Sequence, residues 1–168
     1  MGTGKSAVGR RLARRLGRRF YDTDEWIVRR AGMPIPRLFA ERGEAAFREL
    51  ETDAARAVTR LAGAVVSTGG GILGRDENVR LLRAAGPLIC LQARPECILA
   101  RTAPWTSRPM LKNAPDPRAA VERLLAERAE RYALADWAID TSDLTPDEVA
   151  DRICEKLPSL WATAATRS

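Results

Sequence analysis

The opening run Met1-Gly2-Thr3-Gly4-Lys5-Ser6 constrains the fold more than any other stretch, because Gly-Lys-Ser after a glycine-rich turn is a phosphate-binding loop that opens a helix. In the full motif, G-x-x-x-x-G-K-[ST], these are the last three positions, so the first glycine falls two residues ahead of Met1. Backbone N–H groups of Gly2, Thr3, Gly4, Lys5, Ser6 and Ala7 converge on phosphate oxygens in such a loop. The Lys5 ammonium reaches the β/γ oxygens and the Ser6 hydroxyl reaches Mg²⁺. The helix that follows is expected over 6–16, with Val8, Leu12 and Leu16 on one stripe, and its N-terminal dipole favours anions. A loop of this kind hangs from a buried strand, and no residues of this chain stand ahead of the loop to form one.

A chain of 168 residues, 45% hydrophobic and 30% charged, is long enough for one domain with a real core. It reads as a single domain with its core over about 1–158, a lid near 103–117 and a candidate disordered tail over 159–168. No stretch approaches the length of apolar sequence that a membrane span needs. The net charge of +6 comes from arginine. Arg10-Arg11, Arg14-Arg15 and Arg18-Arg19 recur beside the apolar stripe at helical spacing, which reads as a solvated face and gives no nucleic-acid partner. Cys90, Cys97 and Cys154 are odd in number, lie in apolar segments and lack CxxC spacing. They read as reduced core residues of a cytoplasmic protein, neither a disulfide framework nor a zinc site. With no histidine in the chain, proton transfer falls to a carboxylate, a lysine or water.

Strand and helix patterns alternate. Strands are expected at 19–21, 64–67, 88–91 and 137–139, and helices at 25–31, 43–61, 77–84, from 95, through 121–128, and over 146–157. Met33-Pro34-Ile35-Pro36 breaks the chain between the second and third helices. Four prolines in 103–117 preclude regular structure there. Alternation of this kind gives an α/β fold with a parallel sheet covered on both faces, whose ligands gather at the carboxyl ends of the strands.

That rim collects the chemistry. Asp22 and Asp24 end the first strand pattern. One suits the metal side of a nucleotide site and the other a second substrate, although Asp22-Thr23-Asp24 also fits a helix cap. Gly69-Gly70-Gly71 after an apolar strand lets backbone approach a ligand, where an ordinary turn would rarely need three glycines. Arg48 precedes Glu51 by three residues on one helix face, a spacing that holds a guanidinium in place but also describes ordinary surface pairs. Arg101 and Arg108 bracket the proline-rich segment and Arg128 follows it. Arginines so placed are candidates for neutralising a transferring phosphoryl group.

Taken together these features resemble the shikimate kinase family. The resemblance rests on Gly-Thr-Gly-Lys-Ser followed by Val8-Gly9-Arg10, on Asp22-Thr23-Asp24, on the run from Phe39 through Gly43-Glu44-Ala45-Ala46-Phe47-Arg48, on Ser67-Thr68-Gly69-Gly70-Gly71, and on Arg108-Pro109-Met110-Leu111. Their order covers almost the whole chain. The resemblance implies a three-layer P-loop kinase fold with parallel strand order 2-3-1-4-5, its first strand missing from this chain. It implies ATP- and Mg²⁺-dependent phosphorylation of the 3-hydroxyl of shikimate by a cytoplasmic monomer with no membrane partner, on the route to aromatic amino acids. It further implies Ser6 and Asp22 as metal residues, and Lys5, Asp24 and Arg108 as the catalytic set. Asp24, Arg48, Gly70, Gly71 and Arg128 would bind shikimate, while Arg101 and Arg108 would join the loop around the nucleotide.

Two alternatives stay beside it: a related small-molecule kinase such as gluconate kinase, and a catalytically silent, N-terminally truncated binding protein of the same family. Five buried apolar side chains of a middle strand, at roughly 1.5 to 3 kcal/mol each, come to about 10 kcal/mol, comparable with a whole domain's stability. Because the downstream residues are complete, the expectation is a longer reading frame that begins ahead of Met1.

Overall fold

The computed structural model describes residues 2–102 and 114–165. In chain order the elements are α1 (Lys5–Arg15), β1 (Arg19–Asp22), α2 (Thr23–Ala31), α3 (Ile35–Val58), β2 (Ala64–Ser67), a 3₁₀ turn (Ile72–Gly74), α4 (Asp76–Ala85), β3 (Ile89–Gln92), α5 (Pro95–Thr102), α6 (Pro117–Tyr132), β4 (Trp137–Asp140) and α7 (Pro146–Ala165). Local signals account for most of them. Asp22 caps α2 by accepting from the Asp24 amide at 3.0 Å, and Gly32 ends that helix with φ 70°. Asp116 accepts from the amides of Arg118 and Ala119 to start α6, with Pro117 in the first turn. Thr145 and Glu148 exchange hydrogen bonds at the start of α7, a reciprocal capping box.

Two boundaries differ from expectation. The third helix starts at Ile35, eight residues before 43, because a first segment packs Leu38 into the core before Gly43, at φ 76°, breaks the helix in two. The last helix runs past 157, through Pro158, to Ala165. Residues 159–165 of the expected tail are therefore helical, and Leu160 is buried on the helix's apolar side. The expected lid lies outside the described residues over 103–113, and at its far end Pro117 is helical, since Asp116 caps α6 there.

The strands pair in parallel as β1-β2 and β3-β4. Register sets Asp22 beside Ser67 and Gln92 beside Asp140, so both pairs end at one rim. Among the described residues no strand joins β2 to β3. Two cavities of about 450 Å³ each occupy the space between the pairs. Both are lined by Leu88, Ile89 and Leu91; Val65 and Val66 of β2 line the first, and Thr68 to Gly70 just past β2 line the second. These are the outer pairs of the expected 2-3-1-4-5 order. Apolar clusters pack the helices on either side: Val8 and Leu12 of α1 with Ile139, Val149 and Ile153, and Ala55 and Val58 of α3 with Ile72, Val79 and Leu82.

The arginine face of α1 is exposed as expected, and much of it is paired. Arg11 reaches Asp147 at 2.6 Å, Arg15 reaches Asp151 at 2.6 Å and Arg10 reaches Glu25 at 2.7 Å. The three cysteines are free, but each is half-buried, short of the full burial expected of core residues. No helix among the described residues is long and apolar enough to cross a membrane.

Candidate active site

The phosphate-binding loop takes the conformation its glycines allow. Gly2 and Gly4 sit at φ 69° and 85°, and the Gly4 carbonyl accepts from the Val8 amide at 2.8 Å as α1 begins. Gly2 also lies against α5, where an added Cβ would stand 2.8 Å from Thr102 Cγ2. A cavity of about 620 Å³ opens in front of the loop. Gly2, Thr3, Gly4, Lys5, Ser6 and Ala7 line it, and Asp22, Asp24, Gly70, Arg101 and Arg128 face the same space. Sequence-predicted residues from five separate segments thus line one cavity, and Arg48 and Gly71 stand beside it without lining it.

At the head of α1 the Ser6 hydroxyl donates to Asp22 Oδ2 at 2.7 Å, and Ser67 Oγ lies 3.5 Å from Ser6 Oγ. Asp22 is buried, and its other oxygen caps α2. The cap and metal-side readings of Asp22 are therefore compatible, one per carboxylate oxygen. A hydroxyl and a carboxylate at one point beside a helix N-terminus are hard oxygen donors that fit Mg²⁺. The loop amides and Lys5 fit the phosphates of a nucleotide.

The second half of the site is built around the triple glycine. Thr23 Oγ1 accepts from the Gly69 amide at 2.8 Å and ties the loop to the start of α2. The Asp24 carboxylate lies over Gly69 so closely that a Cβ there would overlap Oδ1. Arg128 Nη1 and the Tyr132 hydroxyl, one turn apart on α6, donate to the Gly70 carbonyl at 3.1 and 3.2 Å. On the next residue a Cβ at Gly71 would overlap Arg48 Nη1. Two guanidiniums from α3 and α6 therefore meet at neighbouring glycines, beside an aspartate.

Arg48 is gripped from two sides. Nη1 donates to Glu51 Oε2 at 2.7 Å, and Nη2 and Nε donate to Glu44 at 2.7 and 3.1 Å. Burial opposes the Arg48 charge, but the hydrogen bonds to Glu51 and Glu44 outweigh it and hold the guanidinium above its ordinary value. Glu51 is 1% exposed, and its Oε1 has no hydrogen-bond partner. Burial pushes its carboxyl up, against the pull of Arg48. The 29%/2% exposure of the Arg48–Glu51 pair sets it apart from a surface ion pair.

Thr23, Tyr132 and Thr141 are contributors that sequence reasoning missed. Each acts through a hydrogen bond to a residue at least 40 positions away, and no short motif signals such a partner. Arg101 reaches the cavity from the end of α5. Arg108 lies outside the described residues.

The sequence profile of the shikimate kinase family matches residues 1–158. Shikimate kinase of Thermodesulfovibrio yellowstonii is 39% identical over 160 residues, 95% of this chain and 92% of that protein. The enzyme of Geobacter sulfurreducens is 46% identical over 153 residues, 91% of this chain and 84% of that one. Among solved structures, shikimate kinase from Acinetobacter baumannii in complex with shikimate superposes with a TM-score of 0.88 at 34% identity, covering 95% of this chain and 89% of that one. Shikimate kinase from Bacteroides thetaiotaomicron gives 0.86 at 30% identity, with 94% of both chains covered.

Proposed function

The chain belongs to the shikimate kinase family, and on that premise we propose that it transfers the γ-phosphoryl group of ATP to the 3-hydroxyl of shikimate, on the route to aromatic amino acids. The observation that carries the reading is the meeting of Arg48 and Arg128 at Gly70 and Gly71, beside Asp24 and in reach of the cavity that the phosphate-binding loop faces. Shikimate is a small anionic triol. Its carboxylate calls for guanidiniums that can bond in pairs, and its hydroxyls call for acceptors. Arg48 and Arg128 supply the first, Asp24 the second, and the bare backbone of Gly70 and Gly71 gives the two guanidiniums room at the carboxylate.

Asp24 orients the 3-hydroxyl and takes its proton as the new O–P bond forms and ADP leaves. Lys5 and the loop amides of Gly2 to Ala7 hold the phosphates in line, so the reaction draws on alignment and charge neutralisation and needs no histidine. Ser6 and Asp22 would hold Mg²⁺, which when bound neutralises charge on the phosphate oxygens. Arg101 lies on the nucleotide side of the cavity, and Arg108, by its place in the sequence and the resemblance, completes the charge around the transferring group. The same reading makes the protein a cytoplasmic monomer without a nucleic-acid or membrane partner. Support comes from the α1 arginines, several of which are paired with acids of this chain.

The test is a coupled assay of ADP release with ATP and Mg²⁺, run with shikimate, with gluconate and with neither. Release that depends on shikimate is expected, and Asp24→Asn should lower turnover by about a hundredfold or more, the usual weight of a positioned base, while leaving ATP affinity nearly unchanged. Binding without turnover would favour the silent alternative, and release with gluconate the other kinase.

A further inference from the structure

Thr141 sits just past the end of β4, 2% exposed, at a point where four segments converge. Its hydroxyl accepts from Arg101 Nη1 at 3.1 Å. The carbonyl of Gln92, the last residue of β3, lies 2.9 Å from the same oxygen, and the Thr3 carbonyl in the phosphate-binding loop lies 3.4 Å from it. The hydroxyl has one proton for these two carbonyls. The Gln92 carbonyl already receives the Thr141 amide at 2.9 Å, so β3 and β4 stay joined without the hydroxyl. Arg101 Nη2 adds bonds to the carbonyls of Thr141 and Ser142 at 2.5 and 3.0 Å. One buried oxygen thus touches the guanidinium, the Gln92 carbonyl and, at the longest of the three distances, the loop carbonyl of Thr3.

We propose that Thr141 is a positioning residue for nucleotide binding: its hydroxyl fixes the Arg101 guanidinium against the phosphate-binding loop, so that α5 and the loop present one preset surface to the nucleotide. The inference rests on the reading of Arg101 as a nucleotide-side residue. A threonine is suited to the place. Its hydroxyl accepts from the cation while donating to a carbonyl, and the side chain is buried as a whole. Valine keeps the shape and removes both functions. The side chain stays buried in either case, so what is lost is the alignment of Arg101 and one bond to it.

The experiment is titration of the 168-residue protein with a methylanthraniloyl-labelled ATP, followed by fluorescence, for Thr141→Val, Thr141→Ser, Arg101→Ala and the Thr141→Val/Arg101→Ala pair. Shikimate affinity is measured alongside by calorimetry. Thr141→Val should weaken nucleotide binding roughly tenfold, the loss of one hydrogen bond to a charged donor. Shikimate affinity should be unchanged, Thr141→Ser should restore nucleotide binding, and the valine should add nothing once Arg101 is alanine. Equal effects with and without Arg101, or parallel loss of shikimate affinity, would overturn the proposal. If Arg101→Ala weakens binding and Thr141→Val does not, the inference alone fails. If Arg101→Ala leaves binding unaltered, the nucleotide-side reading of Arg101 fails and takes the inference with it. Should the valine variant not fold, Thr141→Ala removes the same hydroxyl without the β-branched replacement and is read against the same outcomes.

Discussion

Arg48 gives three of its five N–H donors to Glu44 and Glu51 and keeps one on each Nη, and that arrangement separates its role from its charge. The Glu44 contact is solvent-exposed and of little energetic weight. Glu51 is buried, and it fixes the direction in which the guanidinium points. A lysine at 48 keeps the charge but cannot span both partners and a substrate carboxylate. Arg48→Lys should raise the KM for shikimate by about tenfold or more, the worth of one charged hydrogen bond, with the KM for ATP little changed. An unaltered shikimate KM in steady-state assays would remove Arg48 from the carboxylate contact. Glu51 adds a pH signature. Its folded-state carboxyl is raised above 4.5 by burial, so its stabilising contribution is full below the unfolded value and is lost as pH rises through the folded one. Glu51→Gln has no such titration. In urea unfolding, the wild-type protein should therefore gain stability relative to Glu51→Gln as pH falls from 7 towards 4, and a difference that is flat in pH would show that Glu51 is not held in this way. Arg48, Asp24 and Arg128 were named from the sequence through the family's motifs, and the structure brings all three to the triple glycine. The free oxygen of Glu51, the bond that Tyr132 donates to Gly70 and the one that Thr23 accepts from Gly69 could not be read from the sequence, since they depend on which helices meet at the triple glycine.

Elements show the same division. The strand at 64–67 and the cap of α2 were legible because the adjacent valines and the Asp22-Thr23-Asp24 run act within a few residues. The split of α3 at Gly43 and the run of α7 through Pro158 were not. The first is a backbone conformation imposed where Leu38 and Phe47 must both reach one core, and the second follows from burial of Leu160. The glycines separate into two kinds on this basis. Gly43, at φ 76°, is needed for its conformation. Gly71, at φ −102° and ψ −10°, is in a region any residue adopts, and it is needed for space. Its missing side chain leaves room for Arg48 Nη1, and a Cβ would also stand 3.3 Å from Glu51 Oε1. Gly71→Ala should consequently displace the guanidinium more than it disturbs the loop. A KM for shikimate several-fold higher with Tm nearly unchanged is the expected pattern. A large fall in Tm with an unchanged KM would mean that the glycine serves the fold instead.

On the scale of the whole molecule, the two half-sheets set the stability. The facing edges of β2 and β3 carry backbone groups that no strand pairs among the described residues, and the two cavities between them are walled by Val65, Val66, Leu88, Ile89 and Leu91. The rim end of this space opens at Thr3 and Lys5, so a segment joined in front of Met1 would emerge from between the strands into the phosphate-binding loop. Apolar side chains fit the walls, and only a peptide backbone offers donors and acceptors to both edges at the right repeat. An engineered extension of the 168-residue chain with five alternating Val and Ile residues and a short glycine link ahead of Met1 should bury several of those side chains. At roughly 1.5 to 3 kcal/mol each they add up to a gain on the order of the stability of an ordinary domain, so Tm should rise by well over 10 °C. Binding of anilinonaphthalene sulfonate, which reports apolar space open to a probe, should fall in parallel, and nucleotide affinity should rise as the loop is held from both ends. A matched extension with serine at the same positions supplies the backbone without the side chains, and should recover little of the gain. Equal Tm values for the two extensions would mean that the half-sheets close on each other in solution and that α1, packed on Ile139 and Val149, carries the stability by itself.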